Sequence, residues 1–214
     1  WNYYERGRSF LEGGFYAEAE KDLRAALTGR NRDSLWPRTY GLHFIPEYFP
    51  NRELGIACFH QEQIEESAAA LEKSLSQQHS ARAAFYLGEA RRKLIAARGG
   101  DTLAPAIEIR APQRDLPVGA MHARVEGVVR DDTFVAAIRV GGRPVDIAVS
   151  APEVAFAKEI TIKPGQNEIP ISATDLAGNT ATSFVFIDAD VDGPAVSFDA
   201  PVIVPGIIRG VAMD

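Results

Sequence analysis

The hydrophobic pattern of this chain changes its period near residue 100. Before that point apolar residues recur every three or four positions, the spacing of an amphipathic helix, as in Ile64, Ala68, Leu71 and Leu75. Beyond it they alternate, as in TFVAAIRV (133–140), so that one face of a strand is apolar. Between the two, the glycines of RGGDTLAP (98–105) would end a helix and its proline favours an extended segment. We therefore predict an α+β protein with two domains joined near residues 99–104.

Composition and charge exclude several classes of protein. No apolar run approaches the roughly 18 residues that a membrane-spanning helix needs. The single cysteine, Cys58, excludes an internal disulfide framework and any cysteine-based zinc cluster. Residues 101–214 carry 9 Lys/Arg against 16 Asp/Glu, an acidic balance that argues against binding nucleic acid phosphates. We expect neither a membrane span nor a nucleic-acid partner.

Catalytic motifs are not evident in the sequence. Cys58 and His60 lie two positions apart on a predicted helix, which separates their side chains by about 200° and prevents a Cys-His dyad. The four histidines lack the spacing of metal ligands, and no nucleophile elbow, Walker A or dinucleotide-binding motif occurs. We expect no catalytic residues and no cofactor in this chain, which by itself would not be an enzyme.

Two segments of the helical half share one pattern. Tyr4–Leu27 and Arg52–Leu75 each contain a glycine in the first helix and a leucine 16 residues later. A third segment, Phe85–Leu94, matches the beginning of this pattern and repeats the glycine at Gly88. Small residues allow two helices to approach closely. The pattern resembles the tetratricopeptide repeat, a helix–turn–helix unit of about 34 residues, over residues 1–98, with an aromatic and proline-rich insert at about 28–50.

The tetratricopeptide resemblance implies that the first helix of each pair lines a concave face that receives a protein or peptide partner. On this sequence the face comprises nine residues: Tyr4, Arg8, Leu11, Arg52, Ile56, Phe59, Phe85, Glu89 and Arg92. Arginines can hold a carboxylate, and aromatic side chains supply apolar contact area. The alternative is that the same residues pack against the aromatic insert, around Trp36, Tyr40, Phe44 and Tyr48.

The segment from Ile160 to Ile187 is typical of three strands joined by two tight turns. Gly178 and Asn179 tolerate the positive φ that such a turn requires, and Pro170 is expected at a sheet edge or a bulge. The segment resembles bacterial Ig-like modules, which occur in strings on envelope and secreted proteins, including those appended to polysaccharide hydrolases. The resemblance implies an Ig-like antiparallel β-sandwich over residues 105–190.

One phrase occurs twice in the β half. PAIEIRAP (105–112) is followed by VEGVVRD (125–131), and PAVSFDAP (194–201) by IRGVAMD (208–214). The offset is 89 residues at the prolines and 83 at the Gly-Val step. We interpret residues 191–214 as the start of a second, truncated Ig-like module, and the chain as a fragment of a longer tandem protein. We expect residues 194–214 to be disordered or paired outside the first sandwich.

DADVDG (188–193) matches the first half of an EF-hand calcium loop, with Asp188, Asp190 and Asp192 as candidate ligands. Pro194 follows directly and no helix is predicted beside it, so we interpret the segment as an acidic linker. A calcium site of another kind is the alternative.

Two functions fit these features. The first is a non-catalytic protein-interaction scaffold of the bacterial cell envelope, in the periplasm or outside the cell. The alternative is an accessory interaction region of a larger peptidase or polysaccharide hydrolase whose catalytic domain lies outside this chain.

Overall fold

The protein is described by a computed structural model over residues 2–39, 41–112 and 121–189, with the backbone of 195–198 and 210–213. Five helices form its first half: α1 (Asn2–Glu12), α2 (Tyr16–Gly29), α3 (Pro50–His60), α4 (Ile64–Gln77) and α5 (Ala81–Ala97). Two short strands, β1 (Ser34–Leu35) and β2 (Glu47–Tyr48), lie between α2 and α3. The predicted change from helices to strands near residue 100 is confirmed. None of the described helices combines the length and apolar character needed to cross a membrane.

The two helical hairpins, α1–α2 and α3–α4, share the same close contact. A Cβ atom added to Gly7 would lie 2.9 Å from Cγ of Leu23, and one added to Gly55 would lie 2.5 Å from Cγ of Leu71. The repeated glycine and leucine therefore mark equivalent helix crossings, where a larger residue would separate the helices. Gly88 differs, because a Cβ added there would meet no described atom within 4 Å.

The insert between α2 and α3 covers the helical core. The ring of Tyr48 lies 4.6 Å from the ring of Tyr4, centroid to centroid. The backbone N–H of Phe49 donates to the Tyr4 hydroxyl over 3.1 Å. Burial of the Tyr4 phenol raises its pKa to about 12. The alternative in which the predicted face packs against the insert therefore holds for Tyr4.

Asp33, from the insert, caps the first turn of α3. The helix begins at Pro50 and its N-cap residue, Phe49, makes no side-chain capping bond. Asp33 instead accepts the backbone N–H of Asn51 over 2.9 Å and that of Arg52 over 3.2 Å. Because the first N–H groups of a helix have no partner within it, a remote carboxylate at this end stabilises α3.

The described residues between 106 and 189 form one curled antiparallel sheet of six strands. They are β3 (Ala106–Ala111), β4 (His122–Val140), β5 (Arg143–Pro144), β6 (Ala151–Thr161), β7 (Gly165–Asp175) and β8 (Thr180–Ala189). The first part of β4 pairs with β3 and β6, and its last part pairs with β7. Register shifts occur between Arg130 and Val135 against β6 and between Val135 and Ala137 against β7. The bend in β4 brings the two parts of the sheet face to face, as in a β-sandwich, around a buried core that includes Val125, Ile138 and Ile171.

Pro170 lies in an inner strand, which corrects its predicted place at a sheet edge or a bulge, although its nitrogen does face no partner as expected. β7 pairs with β4 on one side and β8 on the other. Pairing with β4 ends at Ile171, and the carbonyl of Pro170 accepts the N–H of Gly141 from the turn that follows β4. The proline is accommodated because the missing N–H lies where the neighbouring strand has ended.

The two copies of the repeated phrase form strand pairs with the same register. β3 pairs with β4 through Ala106↔Arg130 and Ile109↔Gly127. β9 (Ala195–Phe198) pairs with β10 (Gly210–Met213) through Ala195↔Met213 and Phe198↔Gly210. Adding 89 to the residue numbers of β3 and 83 to those of its partners on β4 gives the paired residues of β9 and β10. The β9–β10 pair forms a sheet separate from the six-stranded one.

Candidate functional site

Arg91, on α5, joins the helical half to the sheet. Its guanidinium donates to the carbonyl oxygen of Ser150 over 2.5 Å and lies within 3.1 Å of the Ser150 hydroxyl. Its Cζ atom lies 4.0 Å from the ring centroid of Phe134, and its Nη2 atom donates to the Glu72 carboxylate over 2.8 Å. The side chain is 12% exposed. This partly buried cation on an aromatic face therefore links α5 to the sheet.

A cleft of about 260 Å³ lies beside this contact, between α5 and the sheet. Three of the predicted binding residues line its helical side: Phe85, Glu89 and Arg92. Ile147, Val149 and Leu176 line the opposite side. Phe85 is 62% exposed, and Arg92 forms an ion pair with Glu89. The cleft thus offers an apolar surface next to a charged pair, a lining that is common at ligand-binding sites.

The other six predicted binding residues lie elsewhere. Four are buried in the helical core: Tyr4, Leu11, Arg52 and Ile56. Arg8 and Phe59 are half-buried, and Phe59 packs edge-on against the ring of Tyr86 at 5.4 Å. The nine residues therefore do not form one continuous exposed face, because the insert and the neighbouring helices cover the first two units.

Arg52 belongs to a buried ion network. Its guanidinium lies 2.7 Å from Glu53 and 2.9 Å from Glu47, and its Cζ lies 4.2 Å from the ring centroid of Phe49. Burial lowers the pKa of Arg52, but the carboxylates of Glu53 and Glu47 more than offset this and hold it above its ordinary value. The arginine compensates a buried carboxylate and is not available to a partner.

Cys58 is also unsuited to catalysis. Burial, with a further contribution from Glu20, raises the pKa of its thiol to about 11. The thiolate is therefore scarce near neutral pH. Glu20 and Glu66 lie near the thiol, and both form ion pairs with Arg24, whose single charge compensates one of the two carboxylates.

Of the predicted calcium ligands, only Asp188 lies within the described residues. It is exposed near the end of β8, in register with Gln166. Asp190 and Asp192 lie outside the described residues. The structure instead brings together three aspartates that the sequence analysis did not select: Asp101, Asp131 and Asp175. A signal was available, because an aspartate stands four residues before the proline and four after the glycine in both copies of the repeated phrase.

Comparison with known proteins gives a family match in the β half of the chain and a similarity to a curated protein. Residues 105–191 match the family model of glucodextranase domain B. A segment of 73 residues is 36% identical to Bacillopeptidase F of Bacillus subtilis (strain 168). That segment covers 34% of this chain and only 5% of the relative. No solved structure gives a significant match. These findings support an Ig-like, β-sandwich-type domain and give the tetratricopeptide resemblance no support.

Proposed function

We propose that this chain is a non-catalytic accessory region of a larger hydrolase, either a peptidase or a polysaccharide hydrolase. The match of residues 105–191 to glucodextranase domain B carries the proposal. The similarity to Bacillopeptidase F supports it, because the matched segment is a small part of that protein. An accessory role outside the cytoplasm, in the periplasm or beyond the cell, is part of the proposal. The accessory role agrees with both matches better than the role of a free-standing scaffold does.

The contact between α5 and the sheet supports a positioning role for this region. Arg91 ties the helices to the sandwich through Ser150 and Phe134, so the two halves would move together. The equivalent Gly–Leu contacts of α1–α2 and α3–α4 support a tetratricopeptide-like arrangement of the helical half. A helical part and a β-sandwich held in one orientation would set the distance and direction between an attached catalytic domain and whatever the helical half binds.

The first test is whether the chain alone hydrolyses macromolecules. The purified chain, incubated with labelled casein and with labelled dextran, should release no product above a heat-denatured control. Turnover of either substrate that increases with the concentration of the chain, and persists after repurification, would overturn the non-catalytic assignment.

Peptide binding at the cleft is a second candidate function, favoured because Phe85 remains largely exposed there beside the Arg92–Glu89 pair. Truncating an exposed aromatic anchor removes apolar contact area and commonly weakens binding by at least tenfold. We therefore expect Phe85→Ala to release proteins that the wild-type chain retains from a lysate of its source organism.

Phe15→Ala is the matched control, since Phe15 is 59% exposed but lies between α1 and α2, away from the cleft. Retention should be unchanged in this variant, and the melting temperature should be similar in both. Equal retention by wild type and Phe85→Ala would exclude the cleft as the binding surface.

A further inference from the structure

Three aspartates meet where the helical half joins the sandwich. Asp101 follows α5, Asp131 lies at the bend of β4, and Asp175 ends β7. One carboxylate oxygen from each lies within 4.8 Å of the other two. Among the described residues, no lysine or arginine forms an ion pair with any of them. Three carboxylates so close together repel one another, and a cation between them or a proton on one of them relieves that repulsion.

Protein donors satisfy only part of this cluster. Asp175, which is 3% exposed, accepts the N–H groups of Gly178 and Asn179 over 2.6 and 2.9 Å. The hydroxyl of Thr133 lies 2.8 Å from Asp101 Oδ2 and 2.6 Å from Asp131 Oδ2. A hydroxyl has one proton to donate, but Asp131 Oδ2 also accepts the backbone N–H of Thr133 over 3.0 Å, so the hydroxyl can serve Asp101 Oδ2. The oxygen that remains without a donor is Asp131 Oδ1.

The Oδ1 atom of Asp131 gives independent evidence for a ligand. This oxygen is completely buried, and no hydrogen-bond donor contacts it. A buried carboxylate oxygen without a donor is strongly unfavourable, and such groups are normally paired or coordinate a metal. The missing partner is therefore a hydrogen-bond donor or a cation rather than an apolar neighbour.

We propose that Asp101, Asp131 and Asp175 bind a calcium ion at this junction. All available donors are oxygens, which Ca²⁺ prefers, and it accepts roughly six to eight of them from carboxylates, hydroxyls and carbonyls. Zinc favours nitrogen and sulfur, which the cluster lacks. An ion held by these three residues connects the segment after α5 to β4 and β7, and so stabilises the orientation of the two halves.

The sequence contains two of these aspartates a second time. Asp101 stands four residues before Pro105, as Asp190 stands before Pro194. Asp131 stands four residues after Gly127, as Asp214 stands after Gly210. The strand pairs between them share one register. The acidic pair is therefore part of the repeated phrase itself, as expected if both copies use it in the same way.

The test is thermal unfolding of the whole chain in EDTA and in about 5 mM calcium chloride, a concentration above the dissociation constants usual for extracellular modules. Calcium should raise the melting temperature by about 2–9 °C. Asp131→Asn should abolish this rise without lowering the melting temperature in EDTA, because it removes a repelling charge and keeps the shape. Asp132→Asn changes the exposed neighbour and should leave the rise intact.

Asp101→Asn serves as a second ligand variant if Asp131→Asn does not fold, and isothermal titration with calcium alone should show binding that either change removes. A calcium response that survives both changes but is lost in Asp190→Ala would assign the ion to the DADVDG segment and overturn the proposal. An equal response to magnesium would overturn the assignment to calcium. No response in the wild-type chain, together with a lower melting temperature of Asp131→Asn in EDTA, would show that the cluster is only structural.

Discussion

Gly127→Ala is expected to lower the free energy of unfolding by about 3 kcal/mol, the upper end of the range for overpacking a core. A Cβ atom at this position would lie 2.4 Å from the carbonyl oxygen of Glu108 and 2.7 Å from two ring atoms of Phe156. The carbonyl belongs to β3, which is paired to β4 here, so it cannot withdraw without breaking the register. Urea unfolding followed by circular dichroism measures the change.

Gly88→Ala is the control for this change. It also replaces a glycine by alanine, but on α5, where the added Cβ meets no described atom within 4 Å. Alanine is the better helix former, so this variant should be unchanged or stabilised by up to about 1 kcal/mol. Similar losses in both variants would mean that β3 and β4 do not approach each other at Gly127.

Arg52→Ala is expected to destabilise the helical half by about 3 kcal/mol. Removing one member of a buried ion pair leaves the other charge without compensation. The side chain of Glu53 is 1% exposed, and its remaining partner, Arg82, lies 3.4 Å away. Arg8→Ala should cost less than about 1 kcal/mol, because Arg8 is 38% exposed and its partners lie at 3.5 and 3.9 Å.

The double variant Arg52→Met with Glu53→Gln tests whether the uncompensated charge of Glu53 causes the loss of stability. Replacing both charges should recover much of the loss, since neither group then remains buried and charged. Equal small effects of Arg52→Ala and Arg8→Ala, with lost partner binding in both, would instead favour a peptide-binding face on the first two helical units.

The periodicity of the sequence predicted the division of the chain and the positions of the helix crossings. Gly7 and Gly55 were identifiable because a crossing leaves a small residue at a fixed spacing from a leucine. The burial of Tyr4 and Arg52 was not predictable in this way. It depends on how the insert folds back over the helices through Tyr48 and Phe49, and repeat spacing carries no information about an insert.

The aspartate cluster could not be predicted from the sequence for a different reason. Asp101, Asp131 and Asp175 are separated by 30 and 44 residues and lie on a linker, a bend and a strand end. Only the bend of β4 brings them together, and a bend caused by register shifts has no periodic pattern. The repeated aspartates marked the positions but not their proximity.

The most direct test of the accessory role is to measure hydrolysis by the native protein that contains this chain. Antibodies raised against the purified chain would capture that protein from its source organism, and the captured material and the chain would be assayed in parallel on labelled casein and labelled dextran. We expect the captured protein to hydrolyse one of the two substrates while the chain hydrolyses neither. Hydrolysis by the chain itself, or captured protein without peptidase or polysaccharide hydrolase activity, would contradict the account.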